Sequence, residues 1–586
     1  MTYPDYLLSL LRKRSIAILI IVLFTVIAYG NTMQNAFAWD DTDTIINWQA
    51  TRSWKNVPTM LAGATPPGHP GNYRPIRNIL YIASYHLFGL NPTGYHVQAI
   101  MLAISIAILV YLITDLLVPR AFTAFIAGLF FALHPMHVEA LTWITSSMDM
   151  FGMLFGLGAI YTYLLWRNTR YTWRYIMALL LTFLAIFSNE VTLSIPILIG
   201  LVTYLFPKKN TKHSLLWVAP FFLAIAANWY VRVTLLHIGA RFYYIENSIW
   251  KTILIMLRAF WVYIQTLILP VHLTINHALG NGITSWSIEL IEKGSRANNA
   301  VKALSVTDPI VLLSCMVIFI LGISALLVHK KYPVYSFAIF WFFIAMIPVS
   351  NLIPTEAMMT ERYAFLASYG YVLLLATLCT SFARMTSLST VRSRVAWSII
   401  IMILLFYTGK TIQRNSEWQH DGLLWETAVE RNKDAHLPHL SLASYYVAAG
   451  NVQGALDMYL TAAELSPNQA DIDVFIAAMY HSLGKDTESV IYLNRAIKKN
   501  PWHAEAYFRL GNIYKTSEQY NLALTAYANG LKIVPDNTLM LNNLGVVYSI
   551  LGKFKEAKTA FTHAITLDPN YESAKQNLEK LQREMK

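Results

Sequence analysis

Apolar positions divide the chain into two regimes that meet near residue 410. Before that point run follows run of Leu, Ile, Val, Phe and Ala with few charges, and beyond it the chain reads as an ordinary water-soluble one. A helix needs roughly 20 mostly apolar residues to cross a bilayer, and several early runs meet that length. They predict spans at 15–31, 96–115, 121–134, 147–166, 174–188, 191–206, 214–236, 309–328, 333–350, 363–382 and 395–410, about eleven crossings in all. Two further apolar stretches, 76–88 and 252–269, are read as re-entrant or interfacial. Counting 252–269 as a crossing would place Lys330 and Lys331 on the opposite side from the other basic loops.

The second regime carries a repeat. Pro467, Pro501, Pro535 and Pro569 stand 34 residues apart, the period of the tetratricopeptide repeat. Tyr446, Tyr480, Tyr514 and Tyr548 keep the same register, as do the small residues Ala443, Ala477, Gly511 and Gly545 and the set Ala462, Ala496, Gly530 and Ala564. Each unit is a helix–turn–helix that cannot bury its own apolar face, so neighbours stack into a superhelix. The fold class is therefore all-α: a polytopic membrane domain at 1–410, a linker or first helix at 411–436, about four repeats at 437–572 and a charged capping helix at 573–586. Binding an extended peptide or partner helix is the ordinary role of such an array.

A formal charge of +12 raises the question of nucleic acid, and the placement of the basic residues answers it. They lie in short loops between apolar runs: Arg12, Lys13 and Arg14; Arg167, Arg170 and Arg174; Lys208, Lys209 and Lys212; Lys330 and Lys331; Arg384, Arg392 and Arg394. That is the positive-inside pattern of a membrane protein. It sets the N-terminus in the cytoplasm, with residues 32–95, 135–146, 189–190, 237–308, 351–362 and the repeats outside. Ile16–Ala28 runs into Tyr29, Gly30 and Asn31 without a clear cleavage site, so the first span is read as uncleaved. Cys315 and Cys379 sit in apolar segments and imply neither a disulfide framework nor a zinc site.

Ionisable residues gather on the outer side, where chemistry in an apolar protein is to be sought. Asp40 and Asp41 follow the first span, with Asp43 close behind. Two adjacent carboxylates repel, which raises the pKa of one and suits a general base; the alternative is that one of them caps a following helix. His134, Pro135, His137 and Glu139 close the third span. His-x-x-His sets both rings on one helical face and leaves a divalent metal as an alternative to plain hydrogen bonding. Asn72-Tyr73-Arg74-Pro75, Ser188-Asn189-Glu190 and Glu361-Arg362-Tyr363 also fall outside. Arg74 and Arg362 are suited to hold a phosphate through two hydrogen bonds, or else to snorkel or pair locally, Arg362 with Glu361 for instance.

These clusters, in this order and ahead of the repeats, resemble the transmembrane and tetratricopeptide repeat-containing family of O-mannosyltransferase-like proteins. The residues that carry the resemblance are Phe37 to Asp43, Asn72 to Pro75, Tyr95-His96, Phe131 to Glu139, Ser188 to Glu190, Glu361 to Gly370 and Arg414-Asn415-Ser416-Glu417-Trp418. It covers nearly the full length, with 237–308 the least matched. It implies a GT-C glycosyltransferase that takes a mannose-like hexose from a polyprenyl-phosphate donor on the extracytoplasmic face and passes it to a Ser or Thr hydroxyl with inversion. On that resemblance Asp40 or Asp41 is the catalytic base, Arg74 and Arg362 hold the donor phosphate, and His134, His137, Glu139, Glu190 and Glu361 line the donor or acceptor site. No cofactor is required, and the repeats present the acceptor polypeptide. The short array, and the lack of the β-trefoil domain of conventional protein O-mannosyltransferases, resemble a prokaryotic member in a bacterial inner membrane with its repeats in the periplasm. A non-catalytic membrane-anchored repeat scaffold is the alternative. A transporter would place its charges at mid-membrane.

Overall fold

The computed structural model describes residues 13–67, 71, 73–118, 120–208, 215–238, 243–280, 283–286, 296–355, 357–385 and 390–585; Arg12, Asn72, Lys209 and Lys212 of the sequence reading lie outside them. Contacts divide the chain into two compact units, residues 1–291 with 300–432 and residues 433–586 with 292–299.

The first unit is a helical bundle. Among the described residues six helices are long and apolar enough to cross a membrane: Arg14–Gln34, Pro92–Leu117, Ile144–Thr169, Leu216–Leu235, Ile249–Ile268 and Pro309–Val328. A seventh candidate is the pair Ala121–Leu133 and Pro135–Thr142, bent by 50°. Thr172–Ile186, Glu190–Leu205, Pro333–Val349 and Ser368–Phe382 are shorter apolar helices, and Thr390–Glu417 precedes the repeats in the chain. Local chemistry fixes several starts. Pro75, Pro92, Pro309 and Pro333 occupy first-turn positions where a missing N–H costs nothing, and Asn91 and Asp308 accept from the first free amides. At one end of the bundle Arg14 pairs with Asp115 at 2.7 Å, joining the start of the first helix to the end of Pro92–Leu117.

Two stretches read as interfacial are full helices whose partners gather at the other end. Pro75–Phe88 packs on the first turns of Pro92–Leu117 and Ile144–Thr169, with Ser84 bonded to Gln98 and Tyr81 to the Thr145 carbonyl. Ile249–Ile268 bonds through Tyr263 to the Thr360 carbonyl, and its Leu267 carbonyl meets His134. Arg258, midway along it, pairs with Asp308 at the start of Pro309–Val328. These contacts come from its middle and C-terminal half, and its length and composition are those of a helix able to cross a membrane. The unit also holds a two-stranded antiparallel hairpin, Ala278–Gly280 with Ile283–Thr284, a small β element in an otherwise helical fold.

The second unit contains four helix pairs, His436–Ala448 with Val452–Leu465, Ala470–Ser482 with Asp486–Lys499, Ala504–Thr516 with Tyr520–Ile533 and Thr538–Ile550 with Phe554–Leu567, followed by Glu572–Glu584. Gly511 and Gly545 admit the rings of Tyr527 and Phe561, which a Cβ would meet at 2.5 and 2.6 Å. The ring in each of these two gaps thus comes from the second helix of the pair.

Candidate functional site

The polar end of the bundle is organised by residues 143–149, a stretch that sequence reasoning passed over. Pro135 has no N–H to continue the Ala121–Leu133 helix, so the chain makes a 3₁₀ turn and a short helix, Val138–Thr142, then restarts at Ile144. Trp143, Thr145 and Asp149 then serve three different clusters.

Thr145 receives Asp41 of the acid pair. Asp41 is buried, and its Oδ1 accepts from the Thr145 amide at 2.7 Å and the Thr145 hydroxyl at 2.6 Å, while Oδ2 accepts from the Ala38 amide at 3.0 Å. Capping therefore occurs, but of the distant Ile144–Thr169 helix and not of the turn that follows Asp41. Burial pushes the Asp41 carboxyl up to about 6, the Thr145 and Ala38 hydrogen bonds pull the other way, and Asp421 adds a smaller repulsion. The repulsion expected from adjacent Asp40 is not the cause. Asp40 itself is half-buried. Trp39, one residue before it, has φ of 54°, a left-handed conformation that costs an L-residue about 1–2 kcal/mol. Asp421 Oδ1 accepts the Trp39 amide at 2.7 Å, and the Trp39 ring stacks on Trp143 at 4.6 Å with Trp286 and Trp425 edge-on, each at 5.4 Å.

Asp149 receives the first arginine cluster. Arg74 Nη1 donates to both Asp149 oxygens at 3.0 and 2.9 Å, and its Nε donates to Glu190 at 2.6 Å. Arg77 reaches Asp149 at 3.2 Å, and Arg232 lies 3.4 Å from Glu190. Burial would raise the Glu190 carboxyl, but Arg74 and Arg232 outweigh it and hold it below its ordinary value. In the second cluster Arg362 pairs with Glu139 at 2.5 Å, not with neighbouring Glu361, because a short 3₁₀ turn aims consecutive side chains apart. Its guanidinium lies 4.8 Å from the Trp143 ring centroid. Glu361 instead accepts from the Thr274 amide at 2.6 Å and His277 at 3.0 Å and faces Arg414 at 3.7 Å. Arg414 continues to Glu417 at 2.5 Å, which Arg431 grips at 2.6 and 2.7 Å. Asp149 and Tyr363 lie within electrostatic reach of both Arg74 and Arg362, so the two arginines singled out by sequence share one field.

The histidines do not share a helical face, since the helix ends before them at the Pro135 bend, though their ring centroids stay 5.6 Å apart. His137 Nδ1 meets the Phe131 carbonyl and Nε2 meets Ser368, both at 2.8 Å. His134 Nε2 meets the Leu267 carbonyl at 3.0 Å, and its Nδ1 accepts the Met136 amide at 3.2 Å. All four ring nitrogens are engaged by protein groups, and among the described residues no three His, Cys, Asp or Glu side chains converge as metal ligands. Their geometry is that of a brace holding the bend against its neighbours. Arg77, Asp149, Arg232, His277 and Arg431 also join these clusters and were not singled out by the sequence reading, and Arg414 entered it only as part of the resemblance. Asp149 did carry a signal, as an acid inside an apolar run.

Tetratricopeptide repeat models match residues 440–504, 504–537 and 539–571. The chain is similar to the protein O-mannosyl-transferase F38B6.6 of Caenorhabditis elegans, 22% identical over 77% of this chain and 63% of that protein. It is likewise similar to the protein O-mannosyl-transferase TMTC3 of Mus musculus, 21% identical over 94% of this chain and 64% of that one. It thus spans under two thirds of the length of these relatives. Among solved structures the crystal structure of MamA aligns with 27% of this chain and 94% of its own, at 20% identity and a TM-score of 0.25. The apolar helices and these relatives together make the chain a membrane protein.

Proposed function

We propose that this chain, a relative by sequence of the tetratricopeptide-containing protein O-mannosyl-transferases, is a glycosyltransferase of the GT-C type. It moves a mannose-like hexose from a polyprenyl-phosphate donor to a Ser or Thr hydroxyl of an extracytoplasmic protein, which the repeats bind. The observation that carries the reading is the convergence of the acid-pair loop and both arginine clusters on residues 143–149.

Asp40 is the better base of the pair. Asp41 is fully buried, whereas Asp40 is half-buried and so keeps part of its surface within reach of an acceptor. The Asp40 carboxylate takes the acceptor hydroxyl proton as that oxygen attacks the anomeric carbon from the face opposite the phosphate. The bond from carbon to phosphate oxygen breaks, and its electron pair leaves with the polyprenyl phosphate. Arg74 and Arg362 stabilise the departing charge, each already oriented by a carboxylate and each with a further guanidinium edge to offer. The residues in place need no metal for this step. Membrane helices with basic loops on one side would set the site on the opposite, extracytoplasmic side, in a bacterial inner membrane on the prokaryotic reading.

The test is glycoproteomic mass spectrometry of the extracytoplasmic fraction from cells expressing the native chain or Asp40→Asn at equal levels. Loss of hexose-bearing Ser and Thr peptides in the variant is expected. One observation favours the scaffold alternative, since both arginines and Asp41 are already paired with protein partners. Under that reading the two glycopeptide profiles coincide.

A further inference from the structure

The segment after the Thr390–Glu417 helix does more than lead into the repeats. Working outward from the first helix, Asn415 Nδ2 donates to the Ala28 carbonyl at 2.8 Å and to Asn31 Oδ1 at 3.0 Å. Asn31 donates to the Ile412 carbonyl at 3.0 Å, and Asn35 to the Asn415 carbonyl at 2.9 Å. The Ala36 amide donates to the Gln419 carbonyl at 2.9 Å, and the last rung is the Trp39 amide on Asp421. The first outer loop is thus laced along its whole approach to Asp40. On its other side the same segment holds the 273–277 stretch, through Arg431, which donates to the Leu273 carbonyl, and through Asn432, which donates to the Asn276 carbonyl at 3.1 Å.

We infer that residues 412–432 are a clasp that sets the pose of the Trp39–Asp40 tip, with Asp421 as its positioning residue. Asp421 is the first residue of the Asp421–Arg431 helix, yet that helix start is capped by His420, whose Nδ1 accepts the Leu423 amide at 3.3 Å. The Asp421 carboxylate is turned instead on an amide that lies in the left-handed region, where an L-residue stays only if it is held. Without that acceptor the Trp39 backbone relaxes and the Asp40 carboxylate is re-aimed, while Asp41 keeps its separate anchorage on Thr145 and the fold survives. The catalytic part of this inference rests on the transferase reading.

The experiment uses the full chain in lipid nanodiscs, comparing native protein with Asp421→Ala, Asp421→Ser, whose side chain is too short to reach, and Asp421→Asn, which keeps an acceptor oxygen. Amide hydrogen exchange over residues 35–45 reports the clasp, and transfer kinetics with a polyprenyl-phosphate mannose report its consequence. The Ala and Ser variants should exchange faster in that peptide and lose roughly tenfold to a hundredfold in kcat with donor KM little changed; the Asn variant should restore both. Faster exchange with native kcat overturns the positioning role, as does unchanged exchange in a folded Ser variant. Altered exchange in a series whose native member transfers no sugar overturns the transferase reading and leaves the clasp standing.

Discussion

Asp41 gives its carboxylate to the start of another helix, and that use fixes how pH acts on the protein. In the fold it holds its proton up to about 6, against an ordinary value of 3.8. Between those values the folded state binds more protons than the unfolded one, so this residue's contribution to stability is fully present below about 4 and is lost as pH rises through about 6. The span corresponds to about 3 kcal/mol for a fully buried group. Thermal unfolding of the native chain across that interval should show a decline that Asp41→Asn flattens; an unchanged slope in the variant would mean that another group titrates. Adjacent acids, paired arginines and the His-Pro-x-His-x-Glu element were all legible in the sequence as a set. Their pairings were not, because partners such as Arg362 and Glu139 are 223 residues apart and the alternative, Glu361, is next door.

Helices were the most legible elements, since a run of apolar residues needs no partner to announce itself. Their ends and bends were less so. The 363–382 run becomes a helix only from Ser368, after the Glu361–Ala364 turn, and Pro135 bends what reads as a helix terminus into a corner. Gly370 shows what the composition of one run conceals. A Cβ there would meet the Ala338 carbonyl oxygen at 2.3 Å and the Phe342 amide nitrogen at 3.1 Å, so Ser368–Met385 and Pro333–Met346 touch backbone to backbone. Neither backbone atom can swing aside as a side chain would. Gly370→Ala should therefore destabilise the bundle by about 1–3 kcal/mol, read as a lower melting temperature in detergent. The Trp341 indole, which donates to the Leu366 carbonyl at 2.8 Å beside this contact, should report the separation by its fluorescence.

At the scale of the molecule the change of regime near residue 410 divides the work. The repeats were legible from spacing alone, because each unit repeats a small residue at the same offset, as where Gly511 and Gly545 face the rings of Tyr527 and Phe561. The bundle's site was legible only as a list of candidates, because its geometry depends on contacts between segments hundreds of residues apart. The lengths of the bundle's helices carry a further consequence. Ala121–Leu133 and Thr172–Ile186 have 13 and 15 residues, or about 20 and 22 Å of helix, and polar residues follow at once with His134 and Ser188. A bilayer's hydrocarbon is about 30 Å thick. The shortfall is a hydrophobic mismatch: the membrane thins around this part of the protein, or the polar cluster sits below the headgroups. Under the proposed transferase reading, a donor phosphate anchored by an isoprenoid tail would then meet the arginines without climbing to the ordinary surface. Reconstituted into vesicles of short-chain and long-chain phosphatidylcholine, the protein should be more active and more heat-stable in the thinner membrane, and equal behaviour in both would show that its neighbouring helices already make up the difference.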